Sequence, residues 1–233
     1  MIHGSAAPGT PRERRHDENL ARILDAAMKV VAEGGLEALS IQRLAREVAY
    51  TPGALYRYFD SKDAILSALV ERTLAELRER LVAADGTLGA RAAPLARVAA
   101  IADAYASFAR EEPHRFGLLA TTLADPRVLL DRPADATPVV RIMTAALEPV
   151  GAALADAAAR GALAEGDVAE RALCLFAMLH GLLQMRKQER HAPAILDVDR
   201  LSRAGTRALL AGWGAKPRAL EAAFPSNPTG DRS

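Results

Sequence analysis

The chain has 233 residues, which is enough for one sizeable domain or for a small domain joined to a larger one. Half of the residues are hydrophobic but only 4% are aromatic, and Ala and Leu dominate, a mixture that favours helices over strands. The formal net charge of +1 excludes a uniformly basic nucleic-acid or membrane binder, so any site for a polyanion must be local.

The cysteine content and the apolar runs indicate the cellular compartment of the protein. One cysteine, Cys174, excludes an internal disulfide, and its apolar neighbours predict a small buried thiol rather than a nucleophile. The N-terminus has charge but no apolar segment behind it, so it does not resemble a signal peptide. The longest apolar run, residues 172–185, is shorter than the roughly 20 residues that cross a bilayer. We therefore predict a soluble, cytoplasmic protein.

The first part of the chain predicts an arm followed by a helix. Residues 1–15 are rich in Gly, Pro, Ala and charge, and we expect them to be disordered. From Leu20 to Val31 apolar residues recur at helical spacing, and the glycines at 34 and 35 end that helix.

Two short helices come next. Ser40 is placed to cap the N-terminus of the first. After a break of three residues, Thr51 is placed to cap the second, with Pro52 at its first helical position. This second helix is expected to end near Phe59.

The rest of the chain shows no strand signal, so the predicted fold class is all-α. A long amphipathic helix starts at Lys62. Further helices are predicted at about 91–111, 114–124, 139–160, 167–190 and 198–211, with a loop at 125–138. Pro149 should kink or split the helix that contains it. The Pro-rich tail, 213–233, is expected to be flexible.

The two short helices carry the spacing of a helix-turn-helix. Counted from Ile41, the fifth residue is Ala45, which must be small because the second helix crosses over it. The ninth, Ala49, turns the chain, and a left-handed conformation there costs Ala about 1 kcal/mol more than Gly. The apolar residues that join the two helices are Leu44, Val48, Tyr50 and Leu55.

The segment TPGALYRYFDSK, residues 51–62, concentrates rings and cations. Leu55 and Phe59 are four residues apart and face inward. At least two of the three residues between them must therefore point outward, namely Tyr56, Arg57 and Tyr58. Phenol hydroxyls and a nearby lysine ammonium can bind phosphate oxygens. The other interpretation is an ordinary helical hairpin whose tyrosines are half-buried.

From about Leu20 to Leu66 the sequence resembles the DNA-binding domain of the TetR family of transcriptional regulators, through ILDAAMKVVAEGGLEALSIQRLAREVAYTPGALYRYFDSKDAIL. The second half resembles the regulatory domain of that family more weakly. The resemblance implies an all-α homodimer. It implies a three-helix helix-turn-helix head, residues 16–61, and a helical-bundle body for ligand binding and dimerisation, residues 62–212.

The resemblance also implies DNA contacts residue by residue. Phosphate-binding positions of the family correspond to Tyr56, Tyr58 and Lys62. The recognition helix corresponds to Thr51, Pro52, Gly53, Ala54 and Arg57, and the preceding helix brings Ser40, Gln42 and Arg43 near the groove. At positions 49, 50, 52 and 54 the family usually has Gly, a small aliphatic residue, Lys and Thr. Two base contacts remain, the Arg57 guanidinium with guanine and the Ala54 methyl group with thymine.

Charge within the head is balanced, because residues 1–63 hold equal numbers of basic and acidic side chains. Arg12, Arg14 and Arg15 precede the predicted first helix, and this arm either reaches the minor groove or backbone or stays solvated. We expect modest affinity for each head. Two recognition helices of a dimer would lie about 34–36 Å apart on palindromic double-stranded DNA.

In the body, small residues at helical spacing predict a dimer seam of four helices, two from each subunit. These residues are Leu173, Ala177, Gly181, Leu201, Ala204, Gly205 and Ala208. The other interpretation is that they are buried within one subunit.

The larger side chains of the body are either its core or the lining of an adaptable cavity for a small-molecule effector. They are Tyr105, Phe108, Phe116, Leu119, Met143, Leu147, Phe176, Met178 and Met185. His180 fits a hydrogen-bonded core or interface residue better than a ligand contact. No metal spacing, catalytic set or phosphate-binding loop is present, so we predict no metal, no cofactor and no enzymatic activity.

Together these features predict a dimeric DNA-binding transcriptional regulator, in the first instance a repressor that a small apolar effector releases from DNA. The alternative is a helical ligand-binding or scaffolding protein that does not bind DNA. An enzyme in the body is a third, weaker option.

Overall fold

The computed structural model describes residues 10–89, 91–124 and 133–225. These residues form helices and no strands, so the all-α prediction is confirmed for the described part of the chain. The first three helices are α1 (Pro11–Gly34), α2 (Ile41–Glu47) and α3 (Pro52–Leu55). The others are α4 (Lys62–Thr87), α5 (Pro94–Glu111), α6 (Pro113–Ala124), α7 (Pro133–Ala159), α8 (Val168–Gln184), α9 (Arg186–Glu189), α10 (Val198–Gly212) and α11 (Pro217–Ala223).

Helix α1 begins earlier than the sequence predicted. The Thr10 hydroxyl accepts a hydrogen bond from the Glu13 amide (3.3 Å), and the Glu13 carboxylate accepts one from the Thr10 amide (2.6 Å). This capping box satisfies amides that the helix cannot pair itself, and Pro11 occupies the first helical position. The prediction of a disordered arm is therefore corrected for residues 11–15, and its first nine residues lie outside the described residues.

The head, α1–α3, packs around a small apolar core. Helix α1 contributes a buried stripe that includes Ile23 and Ala27, and the two short helices contribute Leu44 and Leu55, which are fully buried. Helix α4 packs against α1 with its first turns and continues into the body. The head is therefore joined to the body by a continuous helix.

In the body, α4 packs along α5 and α7, while α8 packs between α7 and α10. Phe108 on α5 is completely buried at the centre, and the Arg80 guanidinium lies 5.4 Å from the centroid of its ring. No helix of the described residues is long and apolar enough to cross a membrane.

Three other expectations change. Helix α3 ends at Leu55, before the predicted end near Phe59, and residues 56–58 form turns. Helix α7 starts at Pro133, inside the predicted loop, and is not split at Pro149; residues 125–132 lie outside the described residues. The predicted flexible tail contains α11, whose Leu220 and Ala223 are buried and which packs against α5 and α10. Leu220 and Ala223 are three residues apart, so they lie on the same face of α11. Residues 226–233 lie outside the described residues.

Candidate nucleic-acid interface and internal cavity

The crossing of α2 and α3 is built by small and apolar side chains. Ala45 is 1% exposed, and Leu44 and Leu55 are completely buried on either side of it. The Ser40 hydroxyl accepts a hydrogen bond from the Arg43 amide (3.2 Å), and the Thr51 hydroxyl accepts one from the Ala54 amide (3.2 Å). Both predicted N-caps are confirmed. They fix the starts of two helices that are too short to persist alone.

The turn between these helices is strained at Ala49. Its φ angle is 57°, and among the described residues no other non-glycine residue has a positive φ. The Tyr50 amide donates a hydrogen bond to the Ala45 carbonyl (2.8 Å), which closes the turn. The predicted left-handed conformation at Ala49 is confirmed, and it carries the steric cost that a Cβ atom brings to this conformation.

The segment after the turn divides into inward and outward side chains as predicted. Leu55 and Phe59 are buried, whereas Tyr56 is 53% exposed and Arg57 is exposed. A Cβ atom added to Gly53 would have no neighbour within 4 Å, so the surface in front of α3 is open. Thr51, Pro52 and Gly53 are exposed, and Ala54 is half-buried.

Tyr58 differs from Tyr56, because its ring packs against two other rings. We call this set of His16, Tyr58 and Tyr50 the aromatic column. The ring stacks on His16 of α1, with centroids 5.0 Å apart and an angle of 12° between the planes. Tyr50 also stacks with this ring, with centroids 6.5 Å apart and an angle of 28° between the planes. The tyrosine at position 50, where the resemblance implied a small aliphatic residue, is therefore part of this column.

The cations of this surface differ in how they are paired. Arg57 is exposed and Lys62 is half-buried, and neither forms an ion pair with another described residue. Arg43 lies 3.5 Å from the Glu33 carboxylate, and Gln42 is exposed. Two cations are thus available to an anionic ligand beside the exposed Tyr56.

The body encloses a cavity between α4, α5, α7 and α8. The cavity itself has a volume of about 30 Å³, and the empty space between these helices, including the part open to solvent, is about 480 Å³. Its wall is formed by Leu74, Leu77, Leu81, Ile101, Ala102, Tyr105, Met143, Ala146, Leu147, Val150, Leu175, Phe176 and Leu179. Only Tyr105 among these lining residues has a polar side-chain atom, so the wall suits an apolar molecule.

The Tyr105 hydroxyl is directed to His180, and its oxygen lies 2.7 Å from Nδ1 of that ring. Phe116 and Phe176 pack against the imidazole, with centroid separations of 5.2 and 5.3 Å. Burial raises the pKa of Tyr105 and lowers the pKa of His180, so both groups are neutral near pH 7. The Nε2 atom of His180 is buried and has no hydrogen-bond partner among the described residues. His180 is a core residue bonded to the cavity wall, as the sequence favoured.

The predicted effector-pocket residues divide into two groups. Four of them line the cavity: Tyr105, Met143, Leu147 and Phe176. The prediction is corrected for the other five, which lie outside its wall: Phe108, Phe116, Leu119, Met178 and Met185. The first three are buried in the core, Met178 packs against Gly205 of α10, and Met185 is 40% exposed. Sequence reasoning missed the lining leucines of α4, because their helical spacing indicated packing alone.

The predicted dimer residues lie on one face of α8 and one face of α10, two helices that pack against each other. Leu173 is 54% exposed, and Ala177 and Gly181 on the same helix are exposed. On α10, Ala204 and Ala208 are exposed, and Leu201 and Gly205 are half-buried. The prediction that Cys174 is buried is wrong, because its thiol lies on this exposed face. We call these faces of α8 and α10 the seam surface.

A chain of ion pairs joins the head to the body. Arg72 of α4 donates to the Asp25 carboxylate of α1 (2.5 Å) and to the Ala21 carbonyl (3.3 Å). Its Nε also donates to Glu76 (3.2 Å), one turn further along α4. The other carboxylate oxygen of Glu76 accepts from Arg115 of α6. Three helices are therefore connected through two carboxylates and two guanidinium groups.

Comparison with known proteins agrees with this geometry. Residues 23–69 match the family model for bacterial regulatory proteins of the tetR family, and residues 98–209 match the Tetracyclin repressor-like C-terminal domain. The HTH-type transcriptional regulator UidR of Escherichia coli (strain K12) is 39% identical over 62 residues, which cover 25% of this chain and 32% of that protein. This chain spans about a third of the length of the curated relatives it matches.

Solved structures extend the likeness to the body. A protein of unknown function from Rhodococcus sp. RHA1 has a TM-score of 0.67 and 26% identity, covering 92% of this chain and 100% of that one. The transcriptional regulator FadR from Bacillus subtilis, in complex with stearoyl-CoA, has a TM-score of 0.64 and 20% identity, covering 82% and 98%. At 20% identity, the similarity to FadR shows only that the two proteins share a fold.

The helix-turn-helix head and the helical body are thus those of a bacterial regulatory protein. The chain belongs to the TetR family of bacterial regulatory proteins. UidR and the relative BetI of Rhizobium meliloti (strain 1021) are HTH-type transcriptional regulators, a class without enzymatic activity, which favours the regulator over the scaffolding and enzyme alternatives.

Proposed function

We propose that this protein is a homodimeric, DNA-binding transcriptional repressor that a small, mostly apolar effector releases from its operator. One observation carries the proposal. The helix-turn-helix presents an exposed phenol, Tyr56, beside two cations, Arg57 and Lys62, that have no ion-pair partner in the described part of the chain. Such a surface is suited to a polyanion that enters from outside.

The proposed contacts follow from the placement of each side chain. Tyr56, Tyr58 and Lys62 bind phosphate oxygens, which sets the position of the head on the duplex. Arg57 pairs with a guanine edge and the Ala54 methyl group contacts a thymine methyl group in the major groove. The remaining members of the interface are Ser40, Gln42, Arg43, Thr51, Pro52 and Gly53, which surround the start of each short helix.

The seam surface supports the proposed homodimer. Its exposed small residues would allow α8 and α10 to pack closely against the same helices of a second copy. A two-fold axis through this surface makes the contact self-complementary and closes the assembly at two subunits. Two heads then address the two halves of a palindromic operator.

The effector is proposed to act through α4. Leu74, Leu77 and Leu81 of this helix form part of the cavity wall. Arg72 and Glu76, on the same helix, tie it to the head and to α6. A ligand that widens the cavity would tilt α4 and alter the spacing of the heads. Moving the population from mostly bound to mostly free requires about 5 kcal/mol of preference for one spacing.

A gel-shift titration with DNA from upstream of the protein's own reading frame tests the DNA-binding step. We expect retardation by the wild type, and weaker binding with a smaller salt slope for Tyr56→Phe combined with Lys62→Gln. Each lost cationic contact, here that of Lys62, lowers the slope of log affinity against log salt by about 0.9, whereas the lost hydroxyl group of Tyr56 lowers affinity without changing the slope.

Lys29→Gln is the matched control, because Lys29 is exposed and pairs with Glu33 (3.9 Å) and Glu47 (3.8 Å) on the head's own helices. It removes one positive charge without removing a proposed phosphate contact. Absence of retardation for any fragment, even at low salt, would exclude the proposal.

A further inference from the structure

The first turns of α1 place the Arg12 guanidinium group at the edge of the proposed DNA-binding surface. His16 stacks on Tyr58, which lies in the turn that follows α3. Arg12 is four residues before His16, so the two side chains lie one above the other on the same face of α1. Arg12 is exposed and has no ion-pair partner among the described residues.

These side chains are held by a formed helix and not by a loose arm. The capping box between Thr10 and Glu13 fixes the first turn. It also occupies the Glu13 carboxylate at the helix start, where the helix dipole favours a negative charge. Successive residues of an α-helix are rotated by about 100°. Asp17 therefore lies about 140° around the helix axis from Arg12, and Arg14 lies about 160° from it.

We infer that Arg12 is a second phosphate-binding element, separate from the helix-turn-helix, which contacts the DNA backbone outside the footprint of α3. His16 is a positioning residue, because its stack on Tyr58 keeps the first turns of α1 beside the proposed phosphate-binding tyrosine. The inference rests on the proposed function, since it needs DNA to lie against Tyr58. It extends the site to a part of the chain in which sequence reasoning expected disorder.

The inference can be tested without knowing the operator, because phosphate contacts do not depend on base sequence. We would titrate a random-sequence duplex of about two helical turns per head with the full chain at several salt concentrations. Arg12→Gln should lower the salt slope by about 0.9 for each head that is bound. Affinity at low salt should fall about five- to tenfold.

Arg14→Gln is the matched control, since it removes the same charge two residues away on the far side of the helix. We expect its affinity to stay within about twofold of the wild type and its salt slope to be unchanged. Equal losses for Arg12→Gln and Arg14→Gln would overturn the inference, because they would indicate a general charge effect.

Two further variants separate positioning from folding. His16→Ala should reproduce the loss seen in Arg12→Gln, while His16→Phe keeps a ring against Tyr58 and should bind like the wild type. Wild-type binding by His16→Ala would refute the positioning role, as would a loss in His16→Phe equal to that in His16→Ala. Thermal unfolding of each variant shows that the head remains folded.

Phosphate-ethylation interference provides a readout that stability does not move. On the upstream fragment that the gel shift shows to be bound specifically, ethylation of a phosphate at the outer edge of each half-site should interfere with binding of the wild type and not with binding of Arg12→Gln. If Arg12→Gln keeps every outer phosphate contact of the wild type, the inference is contradicted. If the wild type binds no duplex at all, the proposed function is wrong. If the wild type and all variants bind equally, only the inference about Arg12 and His16 is wrong.

Discussion

The head and the body use their charged side chains in different ways. At the proposed DNA-binding surface, Arg12 and Arg57 of the head and Lys62 at the start of α4 have no ion-pair partner in the described part of the chain. In the body, Arg97 and Arg203 each grip a carboxylate through two nitrogen atoms. These two body cations are paired between helices, whereas the three cations at the proposed DNA-binding surface are not. Other cations of the head, such as Arg43, are paired.

The two regions differ in backbone strain as well. The left-handed Ala49 lies in the head, and no described non-glycine residue of the body has a positive φ. Backbone strain lowers the stability of a domain, and this strain and the unpaired cations both occur where an external ligand is proposed to bind. The comparison indicates that the head carries groups that can bind an external ligand, whereas the ion pairs of the body stabilise its own packing.

Among the variants proposed here, the largest loss of stability is expected for a substitution of Arg97, whose ion pairs lie between helices of the body. Its guanidinium donates to both oxygens of Asp85 (2.6 and 2.7 Å) and to Asp156 (3.0 Å), which joins α5 to α4 and α7. The hydrogen bond with Asp85 raises the pKa of Arg97, so the group is charged at every accessible pH. Arg97→Gln should lower the free energy of unfolding by about 2 kcal/mol, discounted for partial exposure, as measured by urea denaturation.

Arg57→Gln is the control from the head. It should change the unfolding free energy by less than about 0.5 kcal/mol while weakening DNA binding. Similar stability losses in the two variants would remove the distinction between paired and open cations.

His180 gives a smaller effect that depends on pH. Burial lowers the pKa of His180, so below about pH 6.5 the unfolded chain takes up a proton that the folded chain does not. Stability should fall as the pH decreases through this range, with a slope of at most about 1.4 kcal/mol per pH unit. His180→Phe should flatten that slope between pH 6.5 and 5 in chemical denaturation.

Tyr105→Phe is the companion variant, since it removes the hydroxyl group while leaving the buried imidazole in place. Its stability should still decline toward acid pH. An unchanged acid slope in His180→Phe would show that another group governs the pH response.

The smallest effect concerns strain in the head. Ala49→Gly should raise the stability of the head by about 1 kcal/mol, because glycine adopts the left-handed conformation without a Cβ clash. Hydrogen exchange of α2 amides would measure it locally. DNA affinity should rise or stay constant, since the side chain of Ala49 has no proposed contact. Destabilisation of the head would show that Ala49 is not strained in solution.

Most of the head could be predicted because its signals are local. Ser40 and Thr51 mark helix starts, Ala45 marks the crossing, and Ala49 marks the turn, all within one short window of sequence. The start of α1 was missed, although Thr10 and Glu13 have the spacing of a capping box, because the composition around them indicated disorder. The aromatic column was missed since His16 and Tyr58 are distant in sequence.

The body could be predicted only in outline. The helices and the seam surface follow from periodicity, but the cavity depends on which of many similar apolar faces meet. Met178 illustrates this limit, since its sulfur occupies the space beside Gly205 and not the cavity. Cys174 shows it again, because an apolar neighbourhood in sequence does not reveal which side of a helix is left uncovered.

The capping box at Thr10 has a consequence for the thermodynamics of association. A segment that folds only on its partner loses conformational entropy at that moment and adds a negative heat-capacity change to the binding reaction. Because α1 is already wound as far as Pro11, its arginines reach a duplex with their backbone ordered. Calorimetry of complex formation should therefore lack the folding contribution that a basic tail would bring.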